Sequence, residues 1–245
     1  MKIVGIIPAR YGASRFPGKP LALIAGKPMI RHVIERARAA SLLSEVAVAT
    51  DDPRIAAAAA PFCRVEMTRS DHPSGTDRAA EAAGRLMCDA VVNIQGDEPL
   101  IAPEVIDRVA EALARTEMTT AAAPIRDPEA LANPNVVKVA RGADGNALYF
   151  SRAPIPYARD CGGRPPPEQL GGILFLKHIG IYGYRKETLL RLVREPPSPL
   201  ERVERLEQLR ALESGVPIRV EIVEWEGVSV DRPEDVRLVE ERLAG

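Results

Sequence analysis

Cysteine is scarce in this chain: only Cys63, Cys88 and Cys161 occur among 245 residues. An odd number, widely scattered and without a CxxC pair, excludes a disulfide framework and a thiolate zinc site, and fits a reducing compartment. Histidine is equally sparse, and His32, His72 and His178 lack the short spacing that puts two imidazoles on one metal. Neither sign of charge is in excess: 33 Lys and Arg against 34 Asp and Glu leave a formal net charge of -1. That balance provides no general attraction to nucleic acid or anionic lipid, so affinity for an anion must come from local placement of cations. No apolar run approaches the roughly 20 residues that span a bilayer. Residues 3–7 are too few for a secretion signal, and Pro8 and Arg10 follow at once. The expectation is a soluble, cytoplasmic protein with small-molecule partners. Also missing are a GxSxG nucleophile motif and, after the first strand, a GxGxxG dinucleotide fingerprint.

What is present is enough apolar sequence, 46% of the chain, to bury one substantial core. Short β-branched runs alternate with helical patterns. Lys2–Ile7, Val46–Thr50, Arg64–Met67 and Ala90–Ile94 read as strands. Between and after them, helices are expected over Met29–Ala40, Ile55–Ala60, residues 74–87 and residues 103–115, the first with Ile30, Val33, Ile34 and Ala37 on one side. After about residue 119 the rhythm changes to strands with short connections: Thr120–Ile125, Val136–Ala140 and Ala147–Ser151, the last two joined through Asp144-Gly145 as a hairpin. Residues 158–172, rich in glycine and proline, read as an irregular loop. A strand over Ile179–Tyr184, helices over Lys186–Arg194 and Glu201–Glu213, strands Ile218–Val223 and Val228–Val230, and a helix over Pro233–Leu243 complete the pattern. The expected fold is α/β: a Rossmann-like, mixed but mainly parallel sheet flanked by helices. Residues 1–245 form a single domain with a β-rich insertion at roughly 120–185.

In an open α/β sheet, ligands bind beyond the carboxyl ends of the strands. The first strand ends in Pro8-Ala9-Arg10-Tyr11-Gly12-Ala13-Ser14-Arg15-Phe16-Pro17-Gly18-Lys19-Pro20, which puts Arg10, Arg15 and Lys19 in one glycine-containing connection. Arginine grips phosphate oxygens as a fork and lysine acts as a compact charge, so this loop suits a triphosphate. It is not a Walker A loop, because Pro20 stands where Ser or Thr would reach magnesium. A solvated surface loop is the plainer alternative. Two acids, Asp97 and Asp231, follow the runs Val91–Ile94 and Val228–Val230 and have the strand-end placement of magnesium ligands. Their plainer roles are a turn start and a helix cap.

The segments Ile6-Ile7-Pro8-Ala9-Arg10, residues 14–21 and Gly26-Lys27-Pro28-Met29-Ile30 together resemble the signature of the sugar nucleotidyltransferases. Residues 67–78, Gln95-Gly96-Asp97-Glu98-Pro99, residues 133–139, 147–156, 178–184 and 197–210, and Gly227–Asp235 are similar, within that group, to the cytidylyltransferases that use the acidic octulosonate sugar Kdo. The resemblance implies transfer of CMP from CTP to Kdo, with Mg2+ as cofactor, in lipopolysaccharide biosynthesis, by a homodimer joined through the β-rich portion. By its implication Arg10 and Lys19 neutralise phosphate charge, with Arg15 in the same loop, and Asp97 and Asp231 bind the metal; Asp235 and Glu98 are weaker candidates. Ser74, Gly75 and Arg78 belong to the segment that recognises cytosine. Gln95, Arg152, Arg159, His178, Glu207 and Gln208 contact or surround the sugar. Taken alone, Ser74 reads as a helix cap, Glu207 and Gln208 as polar residues on a helix surface, and His178 as a structural histidine. Around Cys161–Leu176 the chain departs from the family pattern, and no role carries into that stretch. Sialic acid or an 8-amino form of Kdo remain alternative sugars, and a nonenzymatic nucleotide-binding module is the alternative class.

Overall fold

The computed structural model describes residues 1–12, 15–171, 174–225 and 227–244; Ala13 and Ser14 of the basic loop and Gly172 of the expected irregular stretch lie outside the described residues. At the centre is β1 (Ile3–Ala9), buried along nearly its whole length because parallel neighbours flank it on both sides. These are β4 (Glu45–Thr50) and β6 (Ala90–Asn93), and β5 (Arg64–Met67) continues the parallel set beyond β4. Beyond β6 the direction reverses once, at β10 (Leu176–Arg185), before β7 (Met118–Pro124) and β11 (Ile218–Ile222) resume the original sense. The order is therefore β11-β7-β10-β6-β1-β4-β5.

Strand alternation assigns the two faces. Ile7, Val48 and Val92 point to one side. There they meet α1 (Met29–Ala39), α2 (Pro53–Ala59) and α4 (Pro103–Ala112) through Ile30, Val33, Ile34, Ile55 and Ile106. Val4, Ile6 and Val91 point to the other, against α3 (Gly75–Arg85), α6 (Lys186–Leu192) and α8 (Gln208–Glu213) through Ala79, Ala83, Leu189 and Leu209. The alanine-rich face of α3 lets that helix lie close over β1. The expected side of α1 is the buried one: Ile30, Val33, Ile34 and Ala37 are all sealed from solvent.

The β-rich portion branches from β10. Its first residues, Leu176 and Lys177, pair with β8 (Lys138–Arg141), and its last, Tyr182–Arg185, pair with β6. β8 and β9 (Ala147–Ser151) form the expected antiparallel hairpin, whose turn places Gly145 at φ +86, a backbone state that costs glycine little. An irregularity between Ile179 and Tyr182 shifts the register of β10 against β7.

Four details differ from the sequence expectation. A hairpin of β2 (Leu23–Ile24) and β3 (Lys27–Pro28) precedes α1, and a short α5 (Pro128–Ala132) follows β7. The helix expected over Glu201–Glu213 is two: α7 (Pro199–Glu204), started by a capping box of Ser198 and Glu201, and α8, with Arg205 at φ +54 turning the chain between them. Residues Val228–Val230 form no strand. They run past the end of β6, where the Val230 N–H donates to the carbonyl of Asp97 at 2.9 Å. The closing helix, α9 (Asp235–Ala244), packs Val239 with Val230, Ile24 and Met29 into a small separate core. No described helix is long and apolar enough to cross a membrane.

Candidate active site

The carboxyl ends of β1 and β6 open into a cleft of about 270 Å³. One wall is the basic loop after β1, with Arg10, Arg15 and Lys19. The facing wall is the start of α3, with Ser74, Gly75 and Arg78, and Gln95, Asp97 and Asp231 line the cleft from the β6 side and the segment before α9. Close approach fixes two glycines here. A Cβ on Gly96 would stand 3.0 Å from the Pro8 carbonyl oxygen, and one on Gly75 would stand 3.3 Å from the Pro8 ring.

Lys19 is the hub. Its Nζ donates to Asp97 Oδ2 and to the carbonyl of Val230, each at 2.8 Å, and lies 3.8 Å from Asp231 Oδ1. Arg15 reaches the same Asp231 carboxylate at 3.4 and 3.5 Å. The Val230–Asp97 backbone bond is what brings the two acids to one ammonium. Asp235 supports the arrangement from behind, its Oδ2 accepting the N–H groups of Asp231 and Arg232 at 2.8 Å each. Arg10 is exposed and has no carboxylate partner among the described residues. Four cationic side chains against two carboxylates make the cleft lining net positive, as an anionic ligand requires.

Across the cleft, Ser74 is both a helix cap and a wall residue. Its Oγ accepts from the Asp77 N–H at 3.2 Å and donates to Asp77 Oδ2 at 2.7 Å. Arg78 is buried, donating to Thr68 Oγ1 at 2.6 Å with Nη1 3.0 Å from Asp51 Oδ1. That last contact is close in distance but poorly aligned, and Asp51 Oδ1 has no directed hydrogen bond. His72, buried beside Ser74, closes the wall with Nε2 on the Glu81 carboxylate. Sequence reasoning assigned no role to His72 or Asp51. Their only signal is position, His72 inside the segment 67–78 and Asp51 at the end of β4.

The residues expected around the sugar divide. Gln95 lies on the cleft and packs beside Gly180 of β10. His178, also on β10, sets Nε2 3.0 Å from Thr120 Oγ1 and its ring edge-on to Phe150, and desolvation lowers its pKa to about 3. Glu207, exposed at the start of α8, has its carboxylate beside Thr76 and Ser74, where desolvation raises its pKa. With Gln208, whose buried Nε2 has no partner among the described residues, it lines a cavity of about 40 Å³ behind Ser74. Arg152 is turned elsewhere, donating to the carbonyls of Glu204 at 2.8 Å, Pro134 at 3.0 Å and Arg205 at 3.4 Å. Arg159 is exposed in a single helical turn, Arg159–Cys161, off the cleft wall.

A basic cleft at the strand ends suits several nucleotide chemistries; comparison with known proteins decides among them. The cytidylyltransferase family profile matches residues 4–222. The chain belongs to the cytidylyltransferase family. A 3-deoxy-manno-octulosonate cytidylyltransferase of Geobacter metallireducens is 50% identical, covering 100% of this chain and 98% of its own. One from Syntrophobacter fumaroxidans is 52% identical over the same shares. Among solved structures, a CMP:2-keto-3-deoxy-manno-octonic acid synthetase complexed with CTP superposes with a TM-score of 0.92 at 42% identity, covering 100% of this chain and 99% of the other. The Anaerococcus prevotii 4-diphosphocytidyl-2C-methyl-D-erythritol synthase, 11% identical with a TM-score of 0.67, shares the fold.

In this cytidylyltransferase the acidic pair fits a hard divalent ion. Both carboxylates already converge on one cationic group, the Lys19 ammonium, and both stay partly open, 32% and 47% exposed, leaving room for water and phosphate oxygens. Two carboxylates are the usual protein share of a magnesium site. No larger cluster of metal-ligating side chains occurs among the described residues. Glu98 faces a different setting: burial first, and the neighbouring Asp97 charge second, push its pKa up to about 8.

Proposed function

We propose that this cytidylyltransferase transfers CMP from CTP to Kdo, giving CMP-Kdo and pyrophosphate for lipopolysaccharide assembly. The observation that carries the chemistry is the Lys19 ammonium shared by Asp97 and Asp231 at the open end of β1 and β6, in a net-cationic cleft. The triphosphate lies along the loop wall, its charge met by Arg10, Arg15 and Lys19, and the base lies on the wall of Ser74, Gly75 and Arg78. The anomeric hydroxyl oxygen of Kdo forms the new bond to the α-phosphorus as the bond to the bridging oxygen of pyrophosphate breaks in line, and the hydroxyl proton passes to solvent. Asp97 and Asp231 would hold Mg2+, which when bound neutralises phosphate charge and lowers the pKa of the attacking hydroxyl. The protein's own share is alignment and fixed positive charge.

The sugar belongs on the Gln95 side, towards His178, Glu207 and Gln208, where amide and carboxylate groups meet hydroxyls. Arg152 and Arg159 stay outside this sugar site, the first spent on the carbonyls of Glu204, Pro134 and Arg205 and the second exposed off the cleft wall. The same reading makes the enzyme a cytoplasmic homodimer joined through the β-rich portion. In its support, β9 pairs only with β8 among the described strands and carries Leu148, 68% exposed.

The test is pyrophosphate release from CTP and magnesium with Kdo, sialic acid or 8-amino-Kdo supplied separately, beside Asp97→Ala and Asp231→Ala. Release with Kdo alone, abolished in both variants, is the expected result. Release with another sugar overturns the sugar assignment, and CTP binding without release under any condition overturns the enzyme reading.

A further inference from the structure

The loop that carries Arg10, Arg15 and Lys19 is anchored from outside the cleft. Tyr11 is the first contact. Its carbonyl accepts the Gly18 N–H at 2.9 Å, tying the two ends of the turn together. Gly18 has φ +73, and a Cβ there would stand 3.0 and 3.1 Å from two carbons of the Tyr11 ring and 3.2 Å from its hydroxyl oxygen, so the edge of the side chain lies against the glycine backbone. Towards the outside, the Arg54 guanidinium stacks over the same ring with its central carbon 3.5 Å from the centroid.

Arg54 itself is fixed. It stands in the first turn of α2, where Asp52 caps the helix. Asp52 Oδ1 accepts from the Arg54 backbone N–H at 2.9 Å and Nε at 3.0 Å, and Oδ2 accepts from Nη2 at 2.6 Å. A carboxylate that is part of a helix cap thus grips a guanidinium in a fork, and the guanidinium presses an aromatic ring onto the glycine that begins the Lys19 turn. Neither Tyr11, Arg54 nor Asp52 lines the cleft.

We propose that Tyr11 and Arg54, set by Asp52, are positioning residues that hold the triphosphate loop in its binding geometry before CTP arrives. This rests on the reading of the cleft as a CTP site. The brace acts on the loop wall and not on the Ser74–Arg78 wall, so its loss weakens binding of the phosphates and leaves binding of the base unchanged. Preorganisation of this kind shows as ligand affinity, because an unbraced loop has to be ordered at the moment of binding.

The experiment is calorimetry with CTP and ligand-observed NMR with cytidine on the full chain, with melting curves to confirm folding. Arg54→Ala is expected to weaken CTP roughly two- to fivefold, the range of an exposed cation–π contact, with cytidine unchanged. Tyr11→Leu, which keeps apolar packing but removes the ring, reproduces that loss, Tyr11→Phe does not, and Arg54→Ala with Tyr11→Leu is no weaker than either alone. Asp52→Asn separates positioning from long-range charge. Asparagine still caps a helix, and removing a negative charge favours an anion, yet the brace predicts weaker CTP binding. Unchanged CTP affinity in Arg54→Ala, equal loss of CTP and cytidine, or tighter CTP binding in Asp52→Asn overturns the brace. Wild-type protein that binds neither ligand overturns the CTP reading and the brace with it.

Discussion

Replacing Lys19 with methionine keeps the apolar stem as far as its ε-carbon and removes the one charge that Asp97 and Asp231 share. The ammonium is largely buried, 14% exposed, and loses two donated bonds of 2.8 Å, one to a carboxylate and one to a carbonyl. Hydrogen bonds to charged groups contribute about 1.5–3 kcal/mol each, but both acids are open enough for water to take over part of the loss. A destabilisation of about 1–3 kcal/mol follows, a fall in Tm of roughly 2–4 °C per kcal/mol for a chain of this size. Catalysis suffers more. Losing one preorganised donor to a charge that grows in the transition state costs about 3–4 kcal/mol, or about 10²–10³-fold in kcat/KM. The free protein moves in the opposite sense: two carboxylates without their ammonium bind a divalent ion more tightly, which Mn2+ titration followed by electron paramagnetic resonance reads directly. Pyrophosphate release supplies kcat/KM. A Lys19→Met enzyme within threefold of wild type, or one whose Mn2+ affinity falls, would refute the reasoning.

Three further outcomes are expected. Ile6, fully buried on the central strand, costs about 2–5 kcal/mol when truncated to alanine, and a urea midpoint that barely moves would contradict its place in the core. Burial holds the His178 imidazole neutral to about pH 3, whereas its unfolded counterpart takes a proton near pH 6.5. Below pH 6.5 the unfolded state therefore binds the extra proton, and this contribution to stability falls, by up to about 1.4 kcal/mol per pH unit, until pH reaches about 3. His178→Asn lacks that slope, so its stability deficit shrinks as pH falls towards 4; parallel profiles would show that the ring is solvated. The Cys63 thiol, pushed up to about 11 by burial, should stay unlabelled by a thiol reagent at pH 8 in the folded protein, and rapid labelling would place it at the surface.

The part of this molecule legible in sequence is the part written in local pattern. β1, β4, β5, β6 and β9 lie where apolar runs end at turn residues, and the 3.6-residue spacing of Ile30, Val33, Ile34 and Ala37 marks the buried side of α1. Local signals mark other elements too. Asp127-Pro128 starts α5 with the same cap and first-turn proline that Asp52-Pro53 gives α2. Others do not exist in local sequence. Arg205 carries no mark of the left-handed backbone that splits α7 from α8, because arginine is a residue type that rarely adopts it.

The site shows the same division. Arg10, Arg15 and Lys19 are close in sequence, and their grouping follows from a single loop after a single strand. Their counterions are not. Asp97 and Asp231 meet because the segment after β11 runs past the end of β6, held by one backbone bond from Val230 to Asp97 and by Asp235 behind it. Sequence placed each acid at the end of an apolar run, and for Asp231 that run is not a strand. What selects its position is the Val230–Val239 core under α9, a tertiary contact that no periodicity encodes. The same holds on the sugar side. Glu207 follows the break at Arg205 and, though exposed, lines the small cavity behind Ser74 together with Thr76, a placement that a single continuous helix over Glu201–Glu213 does not predict. The chemistry is thus written twice, once as residue types in short motifs and once as departures from regular structure, and only the first can be read before the chain is folded.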